Sequence, residues 1–361
     1  MSPTISQSAP MSCHRGGDNM DTRRATAVVL YNNTDITADL NKYLKSISYT
    51  DNLSGEADDL QITLEDRAGL WESAWMPDKG ATLDVSIVLH EWDGLKNYVQ
   101  RLGLFEIDEI TSSGYPSEVQ IKAVSVPDNT TLRGTERTRS WEKAELKRIA
   151  SDIAGDAGLE LVYDVAEYNP VIDRAEQTEQ SDLSFLYKLC ADHGLALKIS
   201  DKQLIIFDEA DYEQTTAILA VVKPTDDTNP AMLTGYSLST KIRDVYQKAH
   251  VKYQDGTSNA VIEATFSAPH KQQGKTLEIN EQVTDIADAE RLAKKRLREQ
   301  NREEITGTFN MVGNPLMLAS VTINVAGFGA FDGRYIITRA QHDLGAGYST
   351  SIDVRRCLDG Y

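Results

Sequence analysis

The stretch GLFEIDEITSSG (residues 103–114) opens on a glycine, places an aromatic two positions on at Phe105 and an isoleucine four positions on at Ile107, then turns into EVQIKAVSV. Near the other end, GRYIITRAQHDLG (residues 333–345) repeats the arrangement with Gly333, Tyr335 and Ile337 and leads into STSIDVRR. Before the first hairpin stands Leu83-x-Val85-x-Ile87, and before the second Val321-x-Ile323-x-Val325. A period of two marks each segment as a strand with one face inward. Two such strand–turn–strand–turn–strand units, roughly 230 residues apart, read as a structural duplication. Duplication has a symmetry consequence. Three copies of a chain with two similar units make a ring of six similar units, which can join a six-fold object to a three-fold one.

Working outward from the first hairpin, ATAVVLY meets a turn at Asn32-Asn33 and DITADL continues as strand. DDLQITLED puts Leu60, Ile62 and Leu64 on one face, and Leu83, Val85 and Ile87 point inward before a turn at Asp93-Gly94. Short strands with turns at this spacing indicate a small barrel or sandwich. At Ser140 the period changes. In SWEKAELKRIASDIAGDAG, residues Leu146, Ile149, Ala150, Ile153 and Ala157 form a helical stripe, with Ser140 as cap and Gly158 as stop. A second helix, SDLSFLYKLCADHG, gathers Leu183, Leu186, Leu189 and Cys190 between Ser181 and Gly194, and the strands ALKIS and QLIIFDE follow. After VVKPTDDTNPA strands return, with a hairpin signal at Asp255-Gly256. One helix, about 284–301, carries its acids early and its bases late, as the helix dipole favours.

The expected fold is mainly β with an α+β insert: two tube-like β-barrel domains flanking an α/β domain. Residues 1–24 are read as a disordered arm, 25–130 as the first barrel domain, 131–215 as the α/β insert, and 216–361 as the second barrel domain with its one helix. The opening segment is polar and holds no apolar signal core, and Met20 is an alternative start.

Of the 361 residues, 55 are acidic and 37 are Lys or Arg, a net charge of −18. This argues against a grip on duplex DNA, which needs concentrated cations. Cysteines at 13, 190 and 357 form no CxxC, and no apolar run is long enough for a membrane-spanning helix. Histidines stand at 14, 90, 193, 250, 270 and 342 without metal spacing, and His90-Glu91 lacks the second histidine of a zinc motif. AGFGAFDG joins two strands and leads into no helix, so it lacks phosphate-binding logic. The pair Glu106/Asp108 is ordinary in so acidic a chain. No catalytic residue, cofactor or metal is therefore expected. The basic helix face of Lys294, Lys295, Arg298 and Arg302 is expected to be solvated. Trp71, Trp75 and Met76 form an apolar cluster, read either as core or as a subunit-interface anchor.

EQTEQSDLSFLYKLCADHGLALKISDKQLIIFDE (residues 176–209) resembles a signature of the phage late control D family of tail baseplate hubs. The similarity rests on Gln177, Gln180, Ser181-Asp182-Leu183-Ser184-Phe185-Leu186 and His193-Gly194. FDGRYIITRAQHDLGAGYSTSIDVRR resembles the family's closing hairpin through Asp332, Gly333, Tyr335 and His342. The resemblance covers roughly residues 25–361 and is to a family related to the hub part of VgrG spikes and of T-even phage hubs. It implies a homotrimer forming a pseudo-hexameric ring, with a tail tube hexamer on one face, a trimeric spike on the other, and further baseplate proteins around it. The spike is expected to be a separate chain. The motif residues are implied to be structural, with no catalytic set to transfer. The implied setting is a chain made in the bacterial cytoplasm and built into a virion tail or tail-like contractile particle, with no specific nucleic-acid binding and no membrane insertion of its own. The competing readings are a tail-associated peptidoglycan hydrolase and a carbohydrate-binding β-module.

Overall fold

The computed structural model describes residues 23–361 apart from 93–96, 127–131, 167, 255–259 and 270. The arm through residue 22, with Cys13, His14 and Met20, lies outside the described residues, as do His270 and the turns at Asp93-Gly94 and Asp255-Gly256.

The first β-rich part holds β1 (Arg24–Tyr31), β2 (Thr34–Asp35), β3 (Leu44–Asn52), β4 (Asp59–Glu65), β5 (Thr82–His90), β6 (Tyr98–Ser113) and β7 (Glu118–Val124). Asn32 and Asn33 both take left-handed backbone angles (φ 45° and 65°), as a tight two-residue hairpin turn requires. Beyond β2 the expected strand over DITADL is instead a one-turn helix, α1 (Thr37–Leu40). Thr37 turns back and bonds Val29, which bends the chain out of the extended form. The alternating faces pack as their pattern requires. Leu60, Ile62, Leu64, Leu83, Val85 and Ile87 are all buried in one core. Each such side chain contributes ~1.5–3 kcal/mol relative to an exposed one.

The middle part holds β8 (Glu136–Glu145), α2 (Leu146–Asp156), β9 (Glu160–Asp164), β10 (Val171–Ser181), α3 (Asp182–Asp192), β11 (Ala196–Ser200), β12 (Gln203–Phe207) and α4 (Glu209–Glu213). The helix expected from Ser140 begins six residues later. Ser140 lies in β8 opposite Glu176 of β10, and α2 starts after Glu145 with no side-chain cap. The strong helix formers of WEKAE are overridden by the ladder with β10. The expected stripe does pack: Leu146, Ile149, Ala150, Ile153 and Ala157 are buried, and Gly158 ends the helix at φ +68°. On α3, Ser181 caps Ser184 and Gly194 follows at φ +74°; Phe185, Leu186 and Cys190 form its buried face, with Leu183 and Leu189 half-buried.

The last part holds β13 (Leu219–Val222), β14 (Leu233–Thr240), β15 (Tyr246–Gln254), β16 (Val261–Ser267), β17 (Lys275–Ile279), α5 (Ile286–Asn301), β18 (Ile305–Val312), β19 (Thr322–Ala326), β20 (Gly333–Leu344) and β21 (Tyr348–Arg356). Strands β15, β16 and β17 form a separate small sheet under α5, whose start is capped by Asp285.

The two ends of the chain share one strand order. The first part runs β3-β4-β7-β6-β5-β1 across its sheet and the last runs β14-β18-β21-β20-β19-β13. These strands also follow one another along the chain in the same sequence, with the small sheet and α5 inserted between β14 and β18. The irregularities match as well. The β6–β7 ladder slips after Ile107, and the β20–β21 ladder slips after Ile337. The β3–β4 ladder slips between Leu44 and Ser46, and β14–β18 between Leu233 and Gly235. Gly103 and Gly333 both have positive φ (118° and 150°). Val85 faces Gly103 and Leu83 faces Phe105, just as Val325 faces Gly333 and Ile323 faces Tyr335. The equivalence therefore sits two residues from the one expected: Leu83 matches Ile323, not Val321. One strand differs in direction, since β1 is antiparallel to β5 while β13 is parallel to β19.

The chain is mainly β, as expected. Two separately closed barrels are not what the ladder forms among the described residues. The halves join edge to edge through β3 and β20 into one 13-stranded sheet.

Candidate functional site

Strand β20 is long enough to hold two neighbours on one edge. Its first half, Gly333 to Ile336, pairs with β19; its second half, Arg339 to Leu344, pairs with β3. The change of partner falls where Ser320 N donates to Ile337 O (2.9 Å) and Ile337 N donates to Val321 O (3.0 Å). Ser320 takes φ +71° there, two residues before β19 begins, so the preceding chain turns away and the edge is free for β3. Leu53 N extends the junction by donating to Thr338 O at 2.9 Å. Leu53 then packs with Ala196, Phe207, Ala319, Ile336 and Cys357, an apolar cluster drawn from all three parts of the chain.

Buried charge fastens the same seam. Lys198 of β11 donates to Asp51, to Asn52 O (2.7 Å) and to Asp58 (3.0 Å). Asp51 also accepts from Ala319 N at 2.9 Å. One lysine thus joins the middle part to the first, and one carboxylate joins both to the last. Burial pushes the Asp58 carboxyl up to about 6 against the opposing pull of Lys198, while Asp51 pushes it further up. A second cluster lies beside it. Glu213 of α4 accepts from Arg355 and from Arg298 (2.7 Å), and Glu209 accepts from Arg355 (2.7 Å) and Ser54 (2.8 Å). Groups so buried depend on their partners, because a lone buried charge is costly.

The basic face of α5 is part of this fastening, which corrects the expectation of a solvated face. Arg298 pairs with Glu213, Arg302 lies 3.8 Å from Glu209, and Lys295 donates to Asp192 O. Of the four bases, Lys294 and Arg302 are exposed to solvent, while Lys295 and Arg298 are half-buried. Sequence reading missed Asp51, Asp58, Lys198, Glu209, Glu213 and Arg355. A signal existed in ALKIS, where Lys198 stands between Leu197 and Ile199 in a strand otherwise written for burial.

The motif residues fall in two places. Around α3, Arg139 donates to Gln177 (2.9 Å) and to Asp182 (2.7 Å), and Gln177 donates to Asp182 (2.8 Å). Gln177, Asp182 and Leu186 are fully buried and Phe185 nearly so. Phe185 stacks on Trp141 at 5.3 Å, and the Arg139 guanidinium lies over the Trp141 ring, 4.7 Å from its centroid. Ser181 and Leu183 flank this clasp at the helix start. Around β20, Asp332 accepts from Phe328 N (2.6 Å), the Tyr335 hydroxyl donates to Phe331 O (2.7 Å), and the Arg356 guanidinium packs over Tyr335. His342 is fully buried. It lies between Met317 O (3.0 Å from Nε2) and the Tyr348 hydroxyl (2.8 Å from Nδ1), stacked on Tyr49. Burial holds its pKa below the ordinary value, so it is neutral, with Nε2–H donating and Nδ1 accepting.

Trp71, Trp75 and Met76 do come together, with Tyr43, beside a cavity of about 310 Å³ lined also by Tyr31, Ile36 and Leu40. Trp71 is buried, while Trp75 and Met76 are 42% and 49% exposed. Among the described residues, no three His, Cys, Asp or Glu side chains are grouped to hold a metal, and no helix is long and apolar enough to cross a membrane.

These features describe an object built to hold its parts in fixed relation. The model of the phage tail baseplate hub (GPD) family matches residues 60–348. The probable baseplate hub protein of Escherichia phage P2 is 30% identical over 178 residues, which is 49% of this chain and 44% of that protein, so the match spans less than half of the curated relative. A tail protein from Neisseria meningitidis MC58 superimposes with a TM-score of 0.68 over 93% of this chain and 97% of that one, at 13% identity. A type VI secretion system component of E. coli, described as similar to T4 bacteriophage tail proteins, has a TM-score of 0.54 at 13% identity, over 88% of this chain and 75% of that one. The structural likenesses carry the fold.

Proposed function

The chain belongs to the phage tail baseplate hub family, and on that premise we propose that it is the adaptor between a six-fold tail tube and a three-fold spike. The single observation that supports this reading is the duplicated strand order, with its matched slips and matched left-handed glycines. Each half serves as one tube-like unit, residues 25–130 and 216–361, with the α/β part, residues 131–215, braced between them. Three chains then present six similar units to a hexameric tube protein. Differences between the two units mark three-fold positions for a trimeric spike and for other baseplate proteins. The chain is made in the bacterial cytoplasm and built into a virion tail or a related contractile particle.

Its work in this reading is mechanical. The sheet carries load from one unit to the other across β3–β20, and the buried ion clusters keep the middle part from shearing away. Trp75 and Met76 offer an apolar contact to a neighbouring baseplate component. No bond-making step is assigned to any residue.

The test is mass in solution together with low-resolution imaging. A three-copy particle seen as a ring with six lobes is the expected result. A two-fold particle, or six lobes of unequal spacing, would sink the adaptor reading.

A further inference from the structure

The matched halves leave two matched edges open. In the first half, Gly80 N donates to Ile107 O and Ile107 N donates to Ala81 O, both at 2.9 Å, which reproduces the bonds of Ser320 and Val321 to Ile337. Gly80 and Ser320 both have positive φ (78° and 71°). On β20 the edge freed by this turn is taken by β3. On β6 the same edge, Asp108 to Ser113, has no strand beside it among the described residues. In the last half, β14 is the counterpart of β3, and its outer edge is likewise without a strand among the described residues. Each half therefore lacks what the other half of a second copy would supply.

We propose that the second half of β6 pairs with β14 of a neighbouring copy of this chain, in the register by which β20 pairs with β3. The proposal rests on the ring reading above and adds its contacts. The ladder positions fix that register. Ile47 corresponds to Tyr236 and Tyr49 to Leu238, because each faces the corresponding residue of β4 or β18, and continuing along the strands Asp51 corresponds to Thr240. Ala340 corresponds to Ile110 and Gln341 to Thr111 by the shared slip. Since Arg339 faces Asn52 and Gln341 faces Thr50 within the chain, Glu109 faces Lys241 and Thr111 faces Ser239 between chains.

The chemistry at these positions suits a second copy. Glu109 and Lys241 are opposite charges, and Thr111/Ser239 and Ser113/Ser237 are small hydroxyl pairs, both favourable across an antiparallel ladder. On the other face Ile110 falls opposite Thr240 with Leu238 as its diagonal neighbour, and Tyr236, 46% exposed in the single chain, falls opposite Gly114. The clearest sign is Ile242, 89% exposed. Its counterpart is Leu53, which the β3–β20 seam buries to 4%. An isoleucine left in water in one half is thus the residue that a seam buries in the other. Long open edges invite pairing, and these two carry no proline within the paired stretch.

Thr111 and Ser239 would form a non-hydrogen-bonded pair, in which Cα atoms approach to about 4.5 Å, near enough for a disulfide. In the full chain with Cys13→Ser, the double variant Thr111→Cys/Ser239→Cys should give a covalent trimer on a non-reducing gel. Either single variant, and Thr111→Cys/Thr240→Cys, whose second thiol points to the opposite face, should not. Glu109→Lys should raise the concentration for half-assembly about tenfold, and adding Lys241→Glu should restore it. A trimer by mass with no 111–239 disulfide overturns this register while leaving the hub reading in place. A chain that stays monomeric at every concentration overturns both.

Discussion

The two six-strand units are alike in their ladders and unlike at their edges. In the first, the edge strand β3 is covered by β20 and sealed by Lys198, with Asp51 and Tyr49 buried beneath. In the second, the matching strand β14 carries Thr240 and Leu238 at those positions and lies open. The difference teaches that duplication preserved the hydrogen-bond scaffold and let the side chains at the seams diverge. Backbone pairing is sequence-tolerant, whereas a buried charge is kept only where a partner chain segment supplies its counterion.

Four tests would break or sharpen that contrast. The largest effect is expected at the closed edge. Lys198→Met leaves Asp51 and Asp58 buried without a cation and should cost about 3–5 kcal/mol in urea unfolding. A loss below about 1 kcal/mol would mean that the seam does not depend on its charges. Next, Trp71→Ala should cost about 3–5 kcal/mol and the half-exposed Trp75→Ala under about 1 kcal/mol, both read by thermal unfolding. Equal costs would place Trp75 in the core, contrary to its exposure.

The glycines test equivalence itself. Gly103→Ala and Gly333→Ala should each cost about 1–2 kcal/mol, because an L side chain at those φ values is strained in both halves. A harmless change at one site and a costly one at the other would break the match. The smallest effect is a slope. The Asp58 carboxyl titrates near 6 in the folded chain against 3.8 for the free group. The folded state therefore holds a proton that the unfolded state has released, and stability from this group declines as pH rises through that window. Asp58→Asn should flatten the melting temperature between pH 4 and pH 6; an unchanged slope would show that another group sets it.

Much of the scaffold was legible because strands write their faces at every second residue. That same periodicity hid the offset of two between Leu83 and its counterpart Ile323, since a shift of two leaves every side chain on its own face. A shift of one would have been seen at once. The segment from Ser140 to Glu145 misled for the opposite reason. Its residues favour helix locally, and only the distant strand β10 makes them extended. The buried clusters were out of reach, because Lys198 and Asp51 are brought together by the fold and not by spacing. The motif around Gln177, Asp182 and Phe185 was visible as a pattern, yet its partner Arg139 lies far from it in sequence, one residue before the segment that was read as helix.

One detail of β20 has a consequence for how force passes through the molecule. Its two neighbours lie end to end along the same edge, with β21 spanning both on the other side, in the manner of a lap joint bridging two planks. Tension along the strands is then resisted by many inter-strand hydrogen bonds at once, in shear, instead of peeling them one after another. A blow delivered along that axis meets the stiffest direction the polypeptide has.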